Sequence, residues 1–188
     1  MLWKTYKKSF ENYLKLERSL SKNSVSAYLQ DVAKLKQFLE FSKKDISPEQ
    51  VQTKDIKNFL IWVTELGMSP FTQARVLSGL KAFYKFLLLE DLISENPAET
   101  IDAPKLARKL PDVLSINEIE QLFEAIDHST PEGTRNRAIL EVLYSSGLRV
   151  SELTALRLSN IFRDMGFIKI VGKGDKERFV PIHYTTQK

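Results

Sequence analysis

The chain has 188 residues, 43% of them apolar and 28% charged, a balance that suits one or two small domains with real cores and not a disordered chain. It has no cysteine and only two isolated histidines, which excludes disulfide staples, thiolate metal sites and thiol redox chemistry and argues against zinc; no metal or cofactor is expected. The 28 basic and 24 acidic side chains give a net charge of +4 and a pI near 9.1, a mild excess that fits a nucleic-acid partner without demonstrating one.

No run approaches the roughly 20 apolar residues that span a bilayer, and the opening segment mixes charges through its apolar positions, unlike a signal peptide. The expected compartment is therefore the cytoplasm, with no membrane partner. Charge is spread evenly, 15 basic and 12 acidic residues up to position 100 and 13 and 12 beyond it, so placement has to carry the argument.

The first hundred residues read as helices separated by punctuation. Trp3, Tyr6, Phe10, Tyr13 and Leu14 recur at helical spacing, as do Val25, Tyr28, Leu29, Val32, Leu35, Phe38 and Leu39 in a second helix for which Ser21 or Asn23 is the expected N-cap. Ser47, Pro48 and Gln50 stand in capping-box register, Thr53 is expected to cap the following helix, and Gly67 to end it. A fourth helix opens with Ser69 as cap and Pro70 at its first position. At about 100° per residue its Val76, Leu77, Leu80, Phe83, Tyr84 and Leu87 share one face, and Arg75, Ser78, Lys81 and Lys85 fall opposite. That polar face is either a solvated exterior or a surface for phosphates.

Residues 93 to 115 carry three prolines and several charges, the best linker candidate in the chain, with the domain boundary expected between Ile101 and Pro111. Beyond it, Ser115 and Glu118 form a capping box before a short amphipathic helix. A second helix should end at Gly147, and a third should cover VSELTALRL. The period then changes to alternation. Phe167, Lys169 and Val171 oppose Ile168 and Ile170, a glycine-rich turn carries Lys173, and Phe179 and Val180 follow, which is the pattern of a β-hairpin.

The GKG of that turn is not a dinucleotide or Walker loop: Glu177 stands where a third glycine would be needed, and the segment joins two strands instead of opening a helix. Arg149, two residues past Gly147, admits two readings. Its guanidinium either caps the preceding helix or pairs locally with Glu152, or it projects into a cleft as a two-pronged phosphate clamp whose plane Glu152 holds.

SSGLRVSEL followed about twenty residues later by IVGKGDKERFVPI, after a helical region containing NSVSAYLQDV and LSGLKAFYKFL, resembles the tyrosine recombinases, and within them the Xer-type enzymes. The resemblance covers essentially the whole chain. It implies a mainly α protein: a SAM-like four-helix core-binding domain at 1–101, a linker at 102–111, and at 112–188 the first part, helices and a β-hairpin, of an α/β catalytic domain.

The resemblance further implies strand exchange through a 3′-phosphotyrosyl intermediate, without metal or nucleotide, by a homo- or hetero-tetramer on a double-stranded recombination site. Arg149 matches the first catalytic arginine, Glu152 its acidic companion and Lys173 the hairpin lysine, the general acid. Lys22, Asn23, Ser24, Arg75, Lys81 and Lys85 are the expected DNA contacts, with Lys176 and Arg178 beside the hairpin.

The family's His-x-x-Arg motif and tyrosine nucleophile have no match: His128 is followed at +3 by Pro131, and His183 by Thr186. The chain is therefore expected to be a fragment that does not itself cut DNA. Its uncovered apolar surface over residues 116–158 would favour self-association. Chromosome-dimer resolution is the leading duty on this resemblance, at the nucleoid. The alternatives are a phage- or transposon-type integrase, a DNA-binding relative without catalysis, and a helical module that binds no nucleic acid.

Overall fold

The computed structural model describes residues 2–107, 110–172, 174 and 176–182. The chain divides into two compact units, Met1–Lys109 and Leu110–Lys188.

The first unit is built from α1 (Leu2–Leu16), α2 (Lys22–Phe41), α3 (Thr53–Glu65) and α4 (Pro70–Leu89), with a single 3-10 turn at Pro48–Gln50. The helix starts follow capping chemistry. The Ser21 hydroxyl accepts the Ser24 N–H at the head of α2, and Ser69 does the same for Thr72 at the head of α4, where Pro70 is pre-set for a first helical position. Thr53, expected as a cap, is instead the first helical residue of α3; Gln52 precedes it in extended backbone, and Asp55 reaches back to accept the Gln52 N–H.

α2 and α4 form the centre of this unit. Phe10, Leu35, Ile56, Phe59, Val63, Val76, Leu80, Phe83, Tyr84 and Leu87 are fully buried between the helices. The Phe10 ring meets Phe83 edge-on at 5.3 Å and lies 5.5 Å from Phe86, one more buried residue on the apolar face of α4. Ala98 and Ile101 are also buried in this core, so the beginning of the proline-rich stretch packs as part of the unit.

The second unit holds α5 (Ile116–Glu124), α6 (Pro131–Ser146), the one-turn α7 (Val150–Thr154) and a three-stranded antiparallel sheet, β1 (Ile161–Phe162), β2 (Phe167–Val171) and β3 (Glu177–Pro181), in the order β1-β2-β3. The expected hairpin is β2–β3, with Ile168 opposite Val180 and Ile170 opposite Arg178. The two-residue β1 adds a strand that alternation could not flag, and α7 ends at Thr154, short of the Leu158 that the expected helix would reach. Ile168 and Ile170, on one face of β2, join Leu148 and Ile182 as the buried core. α5 buries no residue and α6 only Gly133, while Ile116, Tyr144, Val150, Leu158 and Phe179 are exposed. No helix among the described residues is long and apolar enough to cross a membrane, and no group of His, Asp or Glu among them could hold a metal ion.

Candidate functional site

Arg149 is placed by three consecutive local decisions. α6 terminates because Gly147 adopts the left-handed conformation at φ 58°, where its N–H bonds to the Leu143 carbonyl at 3.0 Å. A Cβ at Gly147 would meet nothing within 4 Å, so glycine is required there for the dihedral and not for space. Leu148 then buries itself against Ile168, Ile170 and Ile182, fixing the path of the chain. Arg149 follows in extended backbone at the N-cap of α7, and the Glu152 Oε2 accepts its backbone N–H at 2.8 Å. This is half of a capping box, since an arginine side chain has no acceptor to return.

Glu152 is the centre of the site. Besides that backbone N–H, its Oε1 accepts Arg149 Nη1 at 2.8 Å, and both its oxygens are taken by Arg178 of β3, Nη1 to Oε1 at 2.7 Å and Nη2 to Oε2 at 2.8 Å. The Glu152 side chain is only 5% exposed, whereas Arg178 is 38% and Arg149 72% exposed. One negative charge is thus shared by two guanidiniums. The fork-on-fork pair with Arg178 is the tighter, leaving Arg149 with a local excess of positive charge and with Nε and Nη2 unpartnered among the described residues. Arg178 above all, and then the Arg149 N–H, hold the Glu152 carboxyl well below the ordinary value of 4.5, against a burial effect that acts the other way.

The hairpin turn closes onto the same cluster. The Gly172 N–H donates to the Lys176 carbonyl at 2.8 Å, and a Cβ on Gly172 would lie 3.3 Å from Arg178 Nη1 and 3.5 Å from Glu152 Oε1. Lys173 lies outside the described residues. Lys176 is exposed, with no side-chain partner among the described residues. A cleft of about 410 Å³ opens beside Glu152, lined by Arg157, Asn160, Lys169 and Glu177 among others.

The structure therefore brings Arg149, Glu152 and Arg178 together. Arg178, expected to touch DNA, has both terminal nitrogens engaged by a carboxylate of its own unit. Arg75 in the first unit is likewise engaged within its own unit. It is not a loose cation on an outer face but grips Asp31 of α2, Nη1 to Oδ2 at 2.8 Å and Nη2 to Oδ1 at 2.9 Å. Lys81 donates to the Glu99 carbonyl at 3.1 Å. Lys22, Asn23 and Lys85 are exposed and Ser24 is half-buried at the capped head of α2. His128 is occupied locally, its Nε2 2.7 Å from Arg137 Nη1.

Sequence reasoning missed Asp31 altogether and, in Arg178, missed the partner of Glu152 while naming it as a DNA contact, although each left a trace. Asp31 stands in the apolar stripe of α2, three residues after Tyr28 and four before Leu35, and Arg178 shares its strand face with Val180.

Residues 8–91 match the family described as "Phage integrase, N-terminal SAM-like domain", and residues 112–188 match "Phage integrase family". The chain belongs to the phage integrase family. Its relatives within the family include the tyrosine recombinase XerD of Listeria monocytogenes, 37% identical over 94% of this chain and 59% of that protein. XerD of Chlorobaculum tepidum is 41% identical over 97% and 60%, and XerC of Leptospira interrogans 41% identical over 92% and 56%. The chain thus spans less than two thirds of the length of the curated relatives it matches. Among solved integrase structures, a lambda integrase (75-356) dimer bound to a COC′ core site superposes with a TM-score of 0.77 at 19% identity, covering 100% of this chain and 65% of that one. A lambda integrase tetramer bound to a Holliday junction gives 0.76 at 19% identity, covering 97% and 52%. At such identity the likeness concerns the fold, mainly helical with a small antiparallel sheet.

Proposed function

We propose that this chain supplies the core-binding domain, residues 1–101, and the first part of the catalytic domain, residues 112–188, of a tyrosine recombinase of the Xer type. The protein that carries it would cut and rejoin double-stranded DNA through a 3′-phosphotyrosyl intermediate. The observation that carries the reading is the asymmetry of Arg149: one edge of its guanidinium is held by a buried carboxylate and the rest is offered to solvent.

That arrangement suits a scissile phosphate. A planar fork pre-aimed at two non-bridging oxygens stabilises the charge that grows in the pentavalent transition state and needs no reorganisation at the moment of reaction. Glu152 keeps the plane in place without cancelling the charge, because Arg178 already neutralises it. Lys173 would deliver the proton to the departing 5′ oxygen. Lys22, Asn23, Ser24, Lys81, Lys85 and Lys176 are the proposed contacts to the DNA backbone. Recombination would run in a tetramer of like or paired recombinases in the cytoplasm, at the nucleoid, with chromosome-dimer resolution as its duty. The 188 residues alone would bind DNA without cutting it.

Two experiments test this. The reading frame, where it continues past Lys188, should encode His-x-x-Arg and a later tyrosine. In the intact protein Arg149→Ala should abolish the covalent protein–DNA adduct while duplex binding persists; adduct formation at the wild-type rate would remove Arg149 from the mechanism.

A further inference from the structure

Arg178 is expensive where it stands. On β3 it faces the same side as Val180, opposite the fully buried Ile170, a position that alternation assigns to an apolar side chain. The glycine at 172 leaves the space its guanidinium occupies, since a Cβ there would crowd Nη1 at 3.3 Å. Both of its terminal nitrogens then go to the two oxygens of Glu152, 26 residues earlier in the chain, and Glu152 uses those same oxygens to hold Arg149 by backbone and side chain. Remove Arg178, and Glu152 keeps only the local contacts of a one-turn helix.

We propose that Arg178 is a positioning residue for Arg149, fixing the Glu152 carboxylate by a two-point contact from β3 so that the guanidinium of Arg149 is held at the edge of the sheet in one orientation. The proposal deepens the reading above and rests on it only for the statement that Arg149 meets the scissile phosphate. Arg178 makes no contact with DNA in this scheme. Lysine cannot replace it, because an ammonium offers a point charge and not a fork.

The experiment uses the 188-residue chain and the variants Arg178→Gln and Arg178→Lys, with far-UV circular dichroism to verify folding. Arg178→Lys, which retains stem and charge, is the second variant in case the glutamine form does not fold. The Glu152 carboxyl is followed by carbon NMR against pH, and the Arg149 side-chain N–H signals by nitrogen NMR.

Groups facing Glu152 are Arg149 at the head of its own helix and Arg178 from β3, with Arg157, Lys169 and Glu177 lining the adjoining cleft and the last two paired at 2.8 Å. In the wild type the carboxyl should titrate only below 4.5; in both variants its titration should move up toward that value, and the distinct Arg149 signal should collapse to that of a freely rotating side chain. Unchanged titration and an unchanged Arg149 signal in either folded variant overturn the proposal.

A parallel measurement uses a 30-base-pair duplex of random sequence. Both variants should keep the wild-type slope of log affinity against log salt, whereas loss of a phosphate contact lowers it by about 0.9 and would overturn the proposal in favour of direct DNA contact. Should the wild-type chain fail to bind the duplex at all, the functional reading falls, while the NMR arm still decides the role of Arg178.

Discussion

Asp31 and Arg75, 44 residues apart in the chain, meet as a two-point ion pair between α2 and α4, with the carboxylate fully buried and the guanidinium about half exposed. Burial pushes the Asp31 carboxyl above its ordinary 3.8, and Arg75, followed by Lys34, pulls the other way. The pair therefore ties the two central helices of the first unit at a point where an unpaired charge would be costly.

Removing Arg75 with methionine should destabilise the first unit by about 2–3 kcal/mol, somewhat less than the loss for a wholly buried pair because the arginine is half exposed. The sign with pH is fixed by the direction of the shift. A carboxyl with a raised folded-state value favours the fold below 3.8 and loses that contribution as pH rises through the raised value, so the deficit of Arg75→Met should be larger near neutrality than in acid. The double variant Asp31→Asn with Arg75→Met should recover part of the loss. Chemical denaturation at the two pH values checks both statements.

Gly79→Ala should lower stability by about 1–3 kcal/mol, although alanine is the better helix former by about 1 kcal/mol. The added Cβ would fall 2.4 Å from Asp31 Oδ2 and 3.0 Å from its Cβ, so the ion pair or the α2–α4 contact must shift. A midpoint in urea equal to or above the wild type would show that the helices adjust without strain.

Tyr84→Phe should leave the fold intact and raise its stability by about 1 kcal/mol. The hydroxyl is buried with no hydrogen-bond partner among the described residues, and its proton is held far more tightly than usual by that burial, with Asp55 adding to the effect. Thermal unfolding of the two forms is the measurement.

Glu152→Gln separates binding from chemistry. It removes a negative charge, so affinity for duplex DNA should not fall; yet Arg149 loses its anchor, and cleavage by the intact protein should drop by about 10²-fold, the scale of a misplacement near 1 Å. Equal cleavage rates in single turnover would mean that Arg149 holds its position without Glu152.

Much of this architecture was legible in the sequence because its signals are local. Ser21, Ser69, Ser115 with Glu118, and Gly147 mark helix ends through hydrogen bonds that span four residues or fewer, and they stand where expected. Arg149 and Glu152 could be singled out for the same reason. What sequence could not supply is the partner of a charge when that partner is distant in the chain. Helical geometry put Arg75 opposite the apolar face, whereas the fold turns that edge of α4 toward α2, where Gly79 and Arg75 both meet Asp31. Arg178 is read from sequence as a DNA contact beside the hairpin, and only the fold brings Glu152 to meet it. The short β1 escaped because two residues carry no period, and Thr53 lost the cap to Gln52 because Asp55, not a hydroxyl, satisfies the first turn of α3.

Glu152 and the two guanidiniums around it also act as a fixed electrostatic source. Guanidinium groups keep their protons in proteins, and Glu152 sheds its own well before mildly acidic conditions are reached, so this cluster presents the same net single positive charge across the whole range in which cells live. Acidification within that range cannot dim its attraction for an anion. Any change in anion binding that a pH titration reveals near neutrality has to be traced to other residues of the protein.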